Sequence, residues 1–194
     1  MGLIVITPAA AEPLTLGEAQ AHCRVDDAAH DAVLLACIAG ARAKCEGLTQ
    51  KLLIRRTVEQ NYDDFPDVSE LKLRGAPAVS IVSISYTDTA GGTQIMAPGT
   101  YTLDATNVHE PWILPAYGTV WPATQPSINA VRVRYLAGFG TAGANVPDDI
   151  RAWLRLTVGY LFAQREAFDA TGRISDIPSR FADSLLDPWR YYGT

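Results

Sequence analysis

A chain of 194 residues with 48% hydrophobic and 19% charged residues holds enough apolar material for a buried core, which argues against disorder along most of its length. Its 16 basic against 21 acidic residues give a formal net charge of -5, the wrong balance for a protein that grips duplex DNA through its phosphates. The length fits one domain of ordinary size, or one core carrying a substantial insertion.

Leu3 to Ile6 reads as a short apolar strand or extended arm, after which Pro8 and Pro13 break the chain. The opening lacks the basic flank of a signal peptide, and no apolar run approaches the roughly 20 residues of a membrane-spanning helix. Synthesis in the cytoplasm, with no membrane partner, is the expectation. Thr15-Leu16-Gly17-Glu18 has the pattern of a capping box, so a short helix is predicted from Leu16 to about Arg24. Asp26 and Asp27 are suited to cap a second, longer helix. There Val33, Leu34, Cys37, Ile38, Ala41, Cys45 and Leu48 recur at steps of three and four, and Gly47 marks the predicted end.

From Lys51 the pattern changes. Leu53 through Tyr62 is rich in β-branched and alternating residues, and Leu71-Lys72-Leu73 follows an acidic turn. Val79 to Thr87 alternates, which predicts Val82, Ile84 and Tyr86 on one face and Ser83, Ser85 and Thr87 on the other. Ala90-Gly91-Gly92 then predicts a hairpin. Tyr101-Thr102-Leu103 and Trp112-Ile113-Leu114 are short strand candidates. Asn129 to Tyr135 alternates again, with Val131, Val133 and Tyr135 opposite Arg132 and Arg134.

Gly138 to Gly143 reads as a flexible break. Pro147 suits a first helical turn, and Asp148 and Asp149 complement the helix N-terminus. Ile150, Trp153, Leu154, Val158, Leu161 and Phe162 form an apolar stripe, with Arg151, Arg155 and Arg165 off it. After Phe168 comes a loop containing Gly172. A last short helix follows Pro178, with Phe181, Leu185 and Leu186 on one side, and Pro188 stops it before the aromatic tail Trp189-Arg190-Tyr191-Tyr192. The predicted fold class is α+β: a small α-helical bundle of N- and C-terminal helices carrying an inserted antiparallel β unit. Residues 1–50 form the arm and first helices, 51–137 the β-rich insertion, and 138–194 the C-terminal helices and an interaction tail.

Catalytic patterns are mostly missing. Cys23, Cys37 and Cys45 are an odd set without CxxC spacing, and Cys37 and Cys45, eight apart in a helical apolar pattern, read as buried small hydrophobes in a reducing compartment. His22 and Cys23 are adjacent on a helix and point about 100° apart, so they make no nucleophile–base pair. His30 and Cys37 add no zinc spacing. Asp26-Asp27 and Asp148-Asp149 read as helix N-terminal charges, and Asp63-Asp64 as a turn. Gly138-Phe139-Gly140-Thr141-Ala142-Gly143 lacks the Lys-Ser/Thr of a phosphate loop. Arg132 and Arg134, with Arg55 and Arg56, read as a solvated strand face or a protein contact, with nucleic acid as the other option. The apolar, aromatic C-terminus is unusual, because chain ends are frayed and polar unless tied down. It either folds back on its own bundle or docks on a partner through Phe181, Leu185, Leu186, Trp189, Tyr191 and Tyr192.

Several segments together resemble the head–tail connector (adaptor, or head-completion) proteins of tailed bacteriophages and gene transfer agents. They are Leu14-Thr15-Leu16-Gly17-Glu18-Ala19 with Asp26-Asp27; Thr49-Gln50-Lys51-Leu52-Leu53-Ile54-Arg55-Arg56-Thr57; and Leu73-Arg74-Gly75-Ala76-Pro77-Ala78-Val79. Val131 to Gly140, Val146-Pro147-Asp148-Asp149-Ile150-Arg151 and Leu185-Leu186-Asp187-Pro188-Trp189-Arg190 complete the set. The resemblance implies a non-enzymatic virion protein at the head–tail junction, with no cofactor and no metal. It implies a homo-oligomeric ring, dodecameric when assembled and monomeric alone, that binds the portal protein after genome packaging. Such a ring extends the DNA channel without binding the passing DNA specifically, and offers head-closure or tail-side proteins a platform. The six C-terminal residues are then the portal-binding set, with Gly172 as a hinge. The β region between Leu52 and Tyr135 is longer than in the shorter members. A head-closure or tail-terminator ring is the alternative, and a small cytosolic enzyme the more distant one.

Overall fold

The protein is described by a computed structural model, which covers residues 2–66, 70–164 and 182–190. The chain falls into two compact units, Met1–Ala10 with Arg55–Phe139, and Ala11–Ile54 with Gly140–Thr194. The fold is α+β, with the β unit inserted in chain order between the helices, as the sequence predicts.

The first unit contains β1 (Leu3–Thr7), β2 (Arg56–Tyr62), β3 (Leu71–Lys72), β4 (Ala78–Thr87), β5 (Thr93–Ile95), β6 (Tyr101–Asp104), β7 (Trp112–Pro115) and β8 (Val131–Ala137). Five strands form one antiparallel sheet in the order β1-β2-β8-β4-β5, and three form another in the order β3-β7-β6. The two-residue period of β2 and β8 dictates the core. Val58 pairs with Tyr135, Gln60 with Val133 and Tyr62 with Val131, all buried, while Glu59, Arg134 and Arg132 lie on the opposite face. The extended segment predicted from Leu53 becomes a strand only at Arg56. Leu52, Leu53 and Ile54 are buried in the second unit, where Ile54 bridges Gly140.

Burying Gln60, Tyr62 and Tyr135 requires partners for their polar atoms. The short β3 segment supplies them. Gln60 donates to the Lys72 carbonyl at 3.1 Å and accepts from the Arg74 N–H at 2.8 Å. The Tyr62 hydroxyl donates to Lys72 O at 2.6 Å, and the Tyr135 hydroxyl to Arg74 O at 2.5 Å. Burial pushes both phenols well above their ordinary pKa, so they stay neutral donors.

One predicted face is corrected. Ile84 is fully buried, but Val82 is 56% exposed. The pairing of β4 with β8 shifts register between Ala78 and Ser80 and again between Ile81 and Ser83, and each bulge resets which side chains point inward. The hairpin at Ala90-Gly91-Gly92 is present. Asp88 accepts hydrogen bonds from the N–H groups of Ala90 and Gly92 at 3.0 and 2.8 Å, and Gly91 takes a φ of 85° that a side chain would disfavour.

In the second unit, α1 (Leu16–Cys23) begins with the expected capping box. Glu18 N–H donates to Thr15 Oγ1 at 3.2 Å and Thr15 N–H to Glu18 Oε2 at 2.9 Å. Asp27 caps a 3-10 turn, Ala28–His30, rather than the long helix itself, and α2 (Asp31–Thr49) follows directly. Gly47 lies inside α2, which ends two residues later where Gln50 turns left-handed. Leu34, Ile38, Ala41, Cys45 and Thr49 are buried, whereas Val33 and Leu48 sit at the exposed margin of the predicted stripe. Helix α3 (Asp148–Ala163) buries Ile150, Trp153, Leu154, Thr157 and Val158 and packs on both α1 and α2. Leu161, placed on that stripe by its spacing, is 37% exposed, and Phe162 is half-buried. A 3-10 turn, Ser184–Trp189, packs on α3 with Pro188 inside it, so this proline does not end the segment as its position suggests. Among the described residues no helix is long and apolar enough to cross a membrane.

Two substitutions test this packing. Tyr135→Phe deprives a buried carbonyl of its donor and should cost about 1–3 kcal/mol in chemical denaturation. Trp153→Ala should cost about 3–5 kcal/mol, as large core truncations do, and an unchanged midpoint would contradict the assigned bundle core.

Candidate interaction site

The C-terminal segment is anchored to α3 by two reciprocal hydrogen bonds. The Trp153 indole N–H donates to Asp183 Oδ1 at 2.9 Å, and the Trp189 indole N–H donates to Asp149 Oδ2 at 2.6 Å. Each element thus gives one indole and one carboxylate. Between them Leu186 is 0% exposed, while Leu185 and Trp189 are half-buried. Arg190 pairs with Asp183 at 3.5 Å and Asp187 at 3.6 Å. Phe181, Tyr191 and Tyr192 lie outside the described residues, as do Arg165, Phe168, Gly172 and Pro178.

A second clasp joins α1 to α3. Glu18 Oε1 accepts from Arg155 Nη2 at 3.0 Å and from Arg151 Nη2, so the two arginines predicted off the apolar stripe meet one carboxylate. Burial opposes the charge on Glu18. It is outweighed by the hydrogen bonds from Thr15 N–H, Arg155 and the Thr15 hydroxyl and by the charge of Arg151, which hold its pKa down at about 2 against an ordinary 4.5.

Several of the residues considered for chemistry have structural work. No cysteine is in a disulfide, and burial pushes the Cys45 thiol up to about 12, which suppresses the nucleophilic thiolate. Among the described residues no group of three or more His, Cys, Asp or Glu side chains is placed to hold a metal. Asp63 accepts from the Asn129 N–H at 2.9 Å and Asp64 from the Thr124 hydroxyl, bracing loops. Gly140 and Gly143 serve close packing. A Cβ on Gly140 would stand 2.3 Å from the Asn145 side chain, and one on Gly143 would stand 2.5 Å from the Pro13 carbonyl oxygen. Burial lowers the pKa of Lys51 to about 8.

On the outer face of the five-stranded sheet, Arg134 pairs with Glu59 at 2.7 Å and Arg132 is exposed between Asn61 and Ser85. Apolar side chains are left open at both edges of this sheet. Ile4, Val5 and Ile6 of β1 are 47%, 48% and 40% exposed, and Ile95 of β5 is 72% exposed. Their one visible signal is an uncharged apolar run in a strand that ends up at an edge.

Neither a protein-family model nor a curated protein matches the chain. Solved structures do. The chain superposes on a chain from the neck of an empty gene transfer agent (GTA) particle, computed with C6 symmetry, at TM-score 0.83 and 23% identity. That match covers 100% of this chain and 97% of the other. A chain in the virion of a native GTA particle aligns over the same fractions at TM-score 0.82 and 25% identity. A third, from the neck of a native GTA particle computed with C12 symmetry, gives TM-score 0.75 and 23% identity.

The Glu18 clasp predicts an acid response. Because its folded pKa is depressed, its stabilisation is present above the unfolded value and is lost as pH falls from 4.5 through about 2. Denaturation midpoints of the wild type and Glu18→Gln should differ at neutral pH and converge across that interval. Parallel curves would show that the clasp contributes nothing.

Proposed function

We propose that the protein is a head–tail connector (adaptor) of a tailed-phage-like particle, forming a ring under the portal that extends the DNA channel and carries the head-closure and tail-side proteins. The observation that carries this reading is the end-to-end match to a chain of a native GTA virion, at 25% identity and over 97% of that chain. At the coarser level the reading is of a structural component of a phage-like virion neck, supported by matches to chains from two GTA necks and one GTA virion. The C6 and C12 symmetries of those necks are the symmetries of rings. A net charge of -5 suits a channel wall along which DNA slides without being gripped.

The portal contact in this reading is the C-terminal segment, with Phe181, Leu185, Leu186, Trp189, Tyr191 and Tyr192 as its residues. Leu186 holds the segment on α3, and the two indole–carboxylate bonds fix its position, which lowers the ordering cost of docking. Of the six, Leu185 and Trp189 are half-exposed among the described residues and keep apolar surface that a partner could cover.

Purified portal rings mixed with the full chain test the assignment. Leu185→Asp should keep the wild-type denaturation midpoint yet weaken portal binding by roughly tenfold or more, the effect of losing an interface anchor. Unchanged portal binding would move the docking surface elsewhere. Binding to a tail-side ring and never to the portal would instead assign a head-closure or tail-terminator role.

A further inference from the structure

Among the described residues the five-stranded sheet has two open edges, β1 and β5, and they fit each other. The Gly2 carbonyl accepts from Asn61 N–H, so Gly2 and Ile4 direct their backbone groups toward β2. The N–H and C=O groups of Leu3 and Val5 therefore point outward. At the far edge Asp88 N–H bonds Gly92 O and Met96 N–H bonds Ile84 O, so Gln94 faces β4 while Thr93 and Ile95 present their groups outward. Four successive antiparallel steps make β1 and β5 run the same way. Their side-chain faces also agree: Val5 lies in the row of buried Val58, and Gln94 in the row of Tyr86 and Val131.

Edge strands are normally protected by charge, proline or a covering element. Neither Leu-Ile-Val-Ile-Thr nor Thr-Gln-Ile carries a charge or a proline, and the bulge of β1 comes only at its end, between Val5 and Thr7. Both expose isoleucine, at 47% for Ile4 and 72% for Ile95.

We infer that the β1 edge of one copy adds in parallel to the β5 edge of the next copy, so that the sheets run continuously from subunit to subunit. Val5 then lies between Thr93 and Ile95 of its neighbour, donating to one carbonyl and accepting from the other N–H, and the isoleucines of the two edges meet on the outer face. A closed ring of identical chains needs two different surfaces that complement each other on every copy. The two edges meet that requirement in strand direction, hydrogen-bonding phase and apolarity. This inference rests on the ring reading above.

The test uses the full chain assembled on portal rings, with Ile4→Cys and Ile95→Cys in one chain and a short bismaleimide as probe. The wild type, with Cys23, Cys37 and Cys45, is the control. A ladder of covalent oligomers reaching the full ring, absent from the control and from either single variant, is the expected result. Ile4→Lys should keep the monomer's circular dichroism and denaturation midpoint and lose ring assembly at least tenfold. Rings that form normally with Ile4→Lys and give no ladder would overturn the inference and leave the connector reading intact. Dimers from Ile4→Cys alone, or cross-links to a different virion protein, would overturn it by naming another occupant of the edge. Failure of the wild type to form any ring on the portal would overturn both.

Discussion

Helix α3 organises the helical unit because three of its sides are committed to three different neighbours. Its buried side carries Ile150, Trp153, Leu154 and Val158, and the helix packs on α2. Another sends Arg151 and Arg155 to Glu18 on α1. The third exchanges indole and carboxylate groups with the terminal segment, through Trp153 with Asp183 and Asp149 with Trp189. Trp153 belongs to two of these sets at once. Its ring fills the core while its N–H must find an acceptor, and Asp183 is that acceptor. A C-terminal segment of nine described residues is thereby tied to the helix whose own N-terminus follows the β unit in the chain.

In the β unit the same logic of buried polar groups applies. Gln60, Tyr62 and Tyr135 are placed by strand alternation on the buried face, and each takes a backbone partner at Lys72 or Arg74. The segment around β3 is therefore held by side chains of β2 and β8 as well as by its short pairing with β7. The outer face carries Arg134, Glu59, Arg132 and serines.

What the sequence disclosed was local. The Thr15–Glu18 capping box, the alternation of β2 and β8, the turn at Gly91 and the aspartates opening α3 all depend on residues within a few positions of one another. What it hid was long-range or depended on one inserted residue. Strand β8 pairs between β2 and β4, so Arg134 meets a Glu59 that lies 75 residues earlier. The bulges in β4 turned Val82 outward against a clean alternating pattern. Gly47 suits a helix end by residue type, yet α2 runs through it because the left-handed turn falls at Gln50. Of the candidate contact residues, Leu186 was readable as apolar, but its burial on α3 follows from the Asp183 and Trp189 contacts, which no periodicity encodes.

The proposed ring at a virion neck is tested by counting the chain in particles. Quantitative mass spectrometry of purified particles, combined with gold labelling of the chain in electron micrographs, measures both copy number and position. A neck ring requires a copy number in simple ratio to the portal subunits and label confined to the single head–tail junction. Label spread over the capsid or along the tail, or a copy number unrelated to the portal, would contradict it.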